Sequence, residues 1–211
     1  MRITSKLILA SLLSLQLLGC STLHLAEQRT PAGGSAEISP SPKDDVMKKF
    51  YLGLEERYSM AGTLVSTIYL LAERSTRDKQ HVVSERMSVV TQFGYFEAEV
   101  EFRFSNDSNF QVISKSDGKE IGTGVCSGPF DEPKSMVDTT TIQQTKEKAT
   151  AVFSFDGPRI FVAKTYSSLE SGEQTGFSVE KLMEINEDKY NSLRTKSDEI
   201  TKRAKELRFD H

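Results

Sequence analysis

The stretch Tyr95-Phe96-Glu97-Ala98-Glu99-Val100-Glu101-Phe102-Arg103-Phe104 decides the fold. Phe96, Ala98, Val100, Phe102 and Phe104 alternate with Tyr95, Glu97, Glu99, Glu101 and Arg103. This period of two places one apolar face against a core and one polar or amphipathic face against water. The same alternation continues to either side. Residues 63–72 are β-branched and apolar enough for a buried strand, and 81–91 form a second, with 74–80 as the polar turn between them. After the turn Ser105-Asn106-Asp107-Ser108-Asn109 comes a strand at 110–116, which Asp117-Gly118 joins to 119–125 by a two-residue hairpin signature. A proline-bearing loop at 127–135 leads to strands at 136–144 and 150–155. Asp156-Gly157-Pro158 then turns into 159–166, where Ile160 and Val162 oppose Phe161 and Ala163. The last strand is 177–185. About nine strands joined mostly by short turns imply antiparallel pairing.

Helices are expected at both ends of this series. Ser41-Pro42 followed by Asp44 and Asp45 is a helix-start signal, and Val46, Met47, Phe50, Leu54 and Tyr58 share a stripe at spacings of three and four, so the pattern predicts a helix over 42–58. At the other end Asn186 can cap, Glu187 and Asp188 occupy the first turn, and Tyr190, Leu193, Ser197, Ile200, Ala204 and Leu207 follow a helical spacing. This second helix either docks on the sheet or stays free to pair with another protein. The expected fold class is α+β and β-dominated: a curved antiparallel meander of about nine strands, a half-barrel or a sandwich, with an N-terminal and a C-terminal helix.

The first twenty residues form a separate unit. Arg2 and Lys6 precede an apolar run from Leu7 to Leu18 that stops at Gly19-Cys20. The run is too short for a hydrocarbon core about 30 Å thick, which needs about 20 residues, and it reads as an export signal. Leu17-Leu18-Gly19-Cys20 resembles the lipobox of bacterial lipoproteins. The resemblance implies that residues 1–19 are a signal peptide cut off between Gly19 and Cys20, that Cys20 carries a diacylglyceryl thioether, and that its new amine is acylated. Two or three chains at ~0.8 kcal/mol per buried methylene would hold the protein firmly to a membrane. Ser21 stands where an aspartate would favour the inner membrane, so the resemblance implies an outer-membrane lipoprotein facing the periplasm. Residues 20–41, rich in Ser, Thr, Gly, Pro and Ala, are expected to be a flexible tether, and 42–211 a single globular periplasmic domain.

Loss of Arg2 and Lys6 with the signal moves the formal charge from −3 to −5. A mildly acidic surface argues against nucleic acid. With Cys20 carrying lipid, Cys126 has no second cysteine to pair with, which excludes a disulfide framework. Gly124-Val125-Cys126-Ser127-Gly128 has the form of a nucleophile elbow, but Pro129 and Pro133 follow where a helix should begin, and His24, His81 and His211 of the mature chain are poorly placed to activate a thiol. Glu97, Glu99 and Glu101 stand about 7 Å apart along one strand face, too far for a carboxylate pair to bind a metal, and Arg86 or Lys115 could oppose them across the sheet. The loops at 106–109 and 131–132 lack calcium-loop spacing, and Gly118-Lys119 lacks the order of a phosphate loop. No metal, cofactor or catalytic group is expected.

Two functions remain open, with an enzyme built on Cys126 a distant third. One is a membrane-anchored, non-catalytic binding or assembly module for another envelope protein. The other is a carrier or receptor of acyl chains or another small hydrophobic ligand, with Phe96, Val100, Phe102, Phe153, Phe155, Ile160 and Phe161 as candidates to line a groove. A lipoprotein whose helix leads into a curved meander also looks like the half-barrel of the carrier and receptor proteins of the Lol pathway. That likeness is one of topology, and no residue role is carried over from it.

Overall fold

Ten strands run up and down in sequence order and close on themselves in a computed structural model that describes residues 46–106, 108–143 and 145–207. They are β1 (Val46–Ser59), β2 (Leu64–Arg77), β3 (Val82–Thr91), β4 (Gly94–Phe104), β5 (Asn109–Ser114), β6 (Glu120–Ser127), β7 (Ser135–Ile142), β8 (Glu147–Asp156), β9 (Arg159–Ser168) and β10 (Gln174–Ile185). Every neighbouring pair is antiparallel, and β1 pairs with both β2 and β10. The β-dominated antiparallel meander is therefore present, and its curvature runs to closure. A closed barrel leaves no unpaired sheet edge. Ten strands also give an interior wider than the eight-strand case, in which side chains just fill the space.

The tenth strand is the segment expected to be the N-terminal helix. Residues 46–58 are extended, and β1 forms the seam from Phe50↔Ile185 to Ser59↔Gly176. The helical reading failed because β1 is buried on both faces: Phe50 and Leu52 point out beneath the C-terminal helices, while Tyr51 and Glu55 point into the barrel. A strand covered on both sides loses its alternation, and its apolar residues then satisfy a helical spacing by accident. Gly53 was the contrary signal. A Cβ there would stand 2.0 Å from the carbonyl oxygen of Lys181, so the seam needs a residue without one. The expected start at 42–45 and the tether and signal lie outside the described residues.

The C-terminal helix is present in two pieces, α1 (Glu187–Leu193) and α2 (Ser197–Lys205). Asn186 caps α1 as its sequence position suggested, its side-chain oxygen accepting from the Lys189 N–H at 2.9 Å. Thr195 adopts a left-handed φ of 69°, which breaks the run just before Ser197. Both pieces dock on the outside of the barrel: Tyr190, Leu193, Ile200 and Ala204 form one apolar cluster with Phe50, Leu52, Leu71 and Val90. Of the two sequence alternatives for this helix, docking is the one adopted.

Inside the barrel lie two apolar clusters. Tyr51, Leu70, Ala72, Val89, Ala151, Ile160, Val162 and Leu182 meet across the lumen. Phe102, Phe104, Phe110, Phe130 and Met136 fill the side formed by β3 to β7. Glycine makes room for the aromatics, since a Cβ on Gly124 would lie 2.2 Å from the Phe110 ring. On the outer face of β4 the glutamate ladder is paired as foreseen, with Arg86 3.2 Å from Glu99 and Lys115 3.0 Å from Glu101.

Candidate functional site

Strand register decides which side chains enter the lumen. Phe96, Val100 and Phe102 occupy one face of β4, Phe153 and Phe155 the matching face of β8, and Ile160 that of β9, where it pairs with Phe155. Six of the seven expected groove residues thus share the inner face. Phe161 does not. It stands opposite Ser154 and Lys181 on the outer face, because successive residues of a strand point to opposite sides and Ile160 already points in.

The same parity carries charged residues inward, and these the sequence reading missed. On β9 the inward series is Ile160, Val162, Lys164 and Tyr166; on β10 it is Ser178, Glu180 and Leu182; on β1 it is Tyr51, Gly53, Glu55 and Arg57. Lys164 Nζ donates to Glu55 Oε2 at 2.8 Å and to Glu180 Oε2 at 2.6 Å. Tyr166 Oη donates to Glu55 Oε1 at 3.0 Å and lies 3.2 Å from Ser178 Oγ. The Arg57 guanidinium stacks 4.0 Å from the Tyr166 ring centroid and holds Glu147 at 3.1 Å. Parity was the available signal: Lys164 and Tyr166 continue the alternation of Ile160 and Val162.

One ammonium shared by two buried carboxylates sets their titration. Burial opposes the charge on Glu55, but Lys164, with hydrogen bonds from Ser178 and Tyr166, outweighs it and holds its pKa below the usual range. For Glu180 burial prevails over Lys164, helped by the charge on Glu55, and the pKa rises. Burial likewise opposes the Lys164 charge, yet the two carboxylates hold its pKa well above the ordinary lysine value. Two further inward acids have no hydrogen-bond partner among the described residues. Burial raises the pKa of Glu85, Arg74 and Lys164 only partly countering it, and pushes Asp138, 6% exposed, up to about 6.

Where β1 begins and β10 ends, the lumen opens into a cup of about 320 Å³. Tyr51, Arg74, Phe155 and Ile160 lie along its inner wall, and Lys49, Asp131, Glu132 and Lys134 also line it. Burial pushes the Tyr51 phenol up to about 12, so it stays protonated and able to donate. Of the expected groove residues only Phe155 and Ile160 reach this cup. Phe102 and Phe153 belong to the packed interior instead.

Cys126 is buried near the same end, with its thiol 3.9 Å from the Gly128 carbonyl oxygen. The described residues contain no group of three or more His, Cys, Asp or Glu placed to hold a metal ion. Leu17, Leu18, Gly19, Cys20 and Ser21 lie outside the described residues.

Fold and site together define an up-and-down antiparallel barrel with a charged lumen and an open mouth. No protein-family model and no curated protein matches the chain. Among solved structures it is similar to an S-type phycobiliprotein lyase from Guillardia theta, at 6% identity and a TM-score of 0.48, over 65% of this chain and 87% of that one.

Proposed function

We propose that this protein is a membrane-tethered, non-catalytic carrier or receptor that takes a small amphipathic ligand into the mouth of its barrel. The observation that carries this reading is the cup of about 320 Å³, in which inward Phe155, Ile160 and Tyr51 offer apolar and aromatic walls among the polar residues Lys49, Arg74, Thr76, Asp131, Glu132 and Lys134. Binding pockets combine apolar walls with convergent polar groups, and their volumes run from about 300 to 1,000 Å³. The tether rests on the lipobox-like Leu17-Leu18-Gly19-Cys20, whose acyl chains would hold the barrel beside the bilayer.

The test uses 1-aminoanthracene, a neutral fluorophore small enough for the cup, titrated into the full chain. Saturable binding at micromolar concentration is expected, together with its loss in Ile160→Trp, which fills the cavity. Failure of the native chain to bind, or undiminished binding by the variant, overturns the ligand reading.

A second reading, a docking module for another envelope protein, draws on Val125, Val137 and Val152. They are 50%, 37% and 47% exposed and stand side by side in one cross-strand row on the outer face. Ile160→Trp leaves that row untouched, so full activity of the variant in cells would favour docking over ligand carriage.

A further inference from the structure

Arg74 is a cation with no ion-pair partner among the described residues. It projects inward from β2 opposite Glu85 on β3, yet among the described residues it forms no ion pair with Glu85 or any other acid. Among the described residues its hydrogen-bond contact is to sulfur, with Nη2 3.7 Å from Met136 Sδ, and the guanidinium lies 5.4 Å from the Phe155 ring centroid. A thioether is a weak acceptor, so most of the five N–H donors are left for water or a ligand. Lys49 and Lys134 line the cup with two acids, Asp131 and Glu132, so Arg74 brings the formal charge of the lining to +1.

From this geometry we infer that the ligand of the cup is an amphipathic anion whose head group is held by Arg74 while its apolar body lies on Phe155 and Ile160. The inference rests on the ligand reading above and specifies the chemistry of that site. A planar guanidinium suits a carboxylate, sulfonate or phosphate, which can take two of its donors at once. Tyr51, protonated and on the same wall, can supply a further donor. Glu85, opposite Arg74 in the β2–β3 register, makes no hydrogen bond to it among the described residues.

The experiment compares naphthalene-2-sulfonate with neutral naphthalene-2-sulfonamide, titrated calorimetrically into the native full chain and into Arg74→Met and Arg74→Lys. A charge-assisted contact predicts that the native chain prefers the sulfonate by about tenfold or more. The preference should fall below about twofold in Arg74→Met and be kept in part by Arg74→Lys, whose retained charge separates loss of recognition from loss of folding. Equal affinity of the native chain for both compounds overturns the anion inference and leaves the ligand reading standing. A preference that survives Arg74→Met also overturns it, since recognition would then belong to Lys49 or Lys134. Binding of neither compound, nor of 1-aminoanthracene, overturns both.

Discussion

Asp138 sits on the inner face of β7, across from Ala151 on β8, and has no hydrogen-bond partner among the described residues. Burial raises its pKa from 3.8 to about 6, against the attraction of Lys164 and with the repulsion of Glu85. A carboxyl with a higher pKa folded than unfolded binds more protons in the folded state between those two values. Its contribution to stability is therefore greatest at low pH and falls as pH rises through the window, a loss of up to about 3 kcal/mol. Asp138→Asn removes that titration. The variant's stability relative to the parent, measured by urea unfolding, should grow from pH 4 to pH 7 by up to this amount; a difference that stays flat across the window would sink the assignment. The constant part of the difference is immaterial, since an amide can be as poorly bonded there as an acid. Asp138 was legible in the sequence only as part of a β-strand. Its inward aim depends on the register with β8, and its titration on burial inside the closed lumen.

At the level of elements, β1 and α2 show what period can and cannot reveal. β4 alternates cleanly because only one of its faces is covered, and its expected bounds differ from those observed by one residue. β1 is covered on both, by the lumen and by the helices, and its pattern blurs into a helical one. The helices supply the missing half of that burial. Ile200 of α2 is fully buried against Phe50, Leu52 and Leu71, so Ile200→Ala should cost about 2–5 kcal/mol of unfolding free energy, read from chemical denaturation. A cost below about 1 kcal/mol would show that α2 is only loosely attached, as expected of a helix kept free for a partner. Lys205, whose ammonium lies 5.4 Å from the Tyr69 ring centroid, adds a second tie between α2 and β2.

For the whole molecule, the lipid anchor and the barrel are separable claims. Cys20→Ala should abolish incorporation of labelled fatty acid and leave the precursor uncut, as seen by gel mobility and mass spectrometry, without changing unfolding of the barrel. Persistent labelling would remove the lipoprotein reading and leave the ligand cup unaffected. Closure also explains why so much charge lies within. A half-open sheet would expose Lys164, Glu55 and Glu180 to water, whereas a closed lumen makes each depend on the others. Removing one member of such a set leaves an uncompensated buried charge.

By itself the sequence determined nine strands between 63 and 185, though it read 74–77 as turn where they extend β2, together with their antiparallel order and the helical nature of the C-terminus, because alternation, turn residues and caps are properties of a few neighbouring residues. It also placed six of the seven proposed groove residues on one face. Only the tertiary structure decided that residues 46–59 are a strand, that the meander closes into a barrel, and that Lys164, Arg74, Glu55, Glu85, Asp138 and Glu180 point inward. Those outcomes depend on contacts between segments more than a hundred residues apart, such as Glu55 with Lys164 and Phe50 with Ile185, and no local pattern encodes the free energy of a seam or of a shared buried charge.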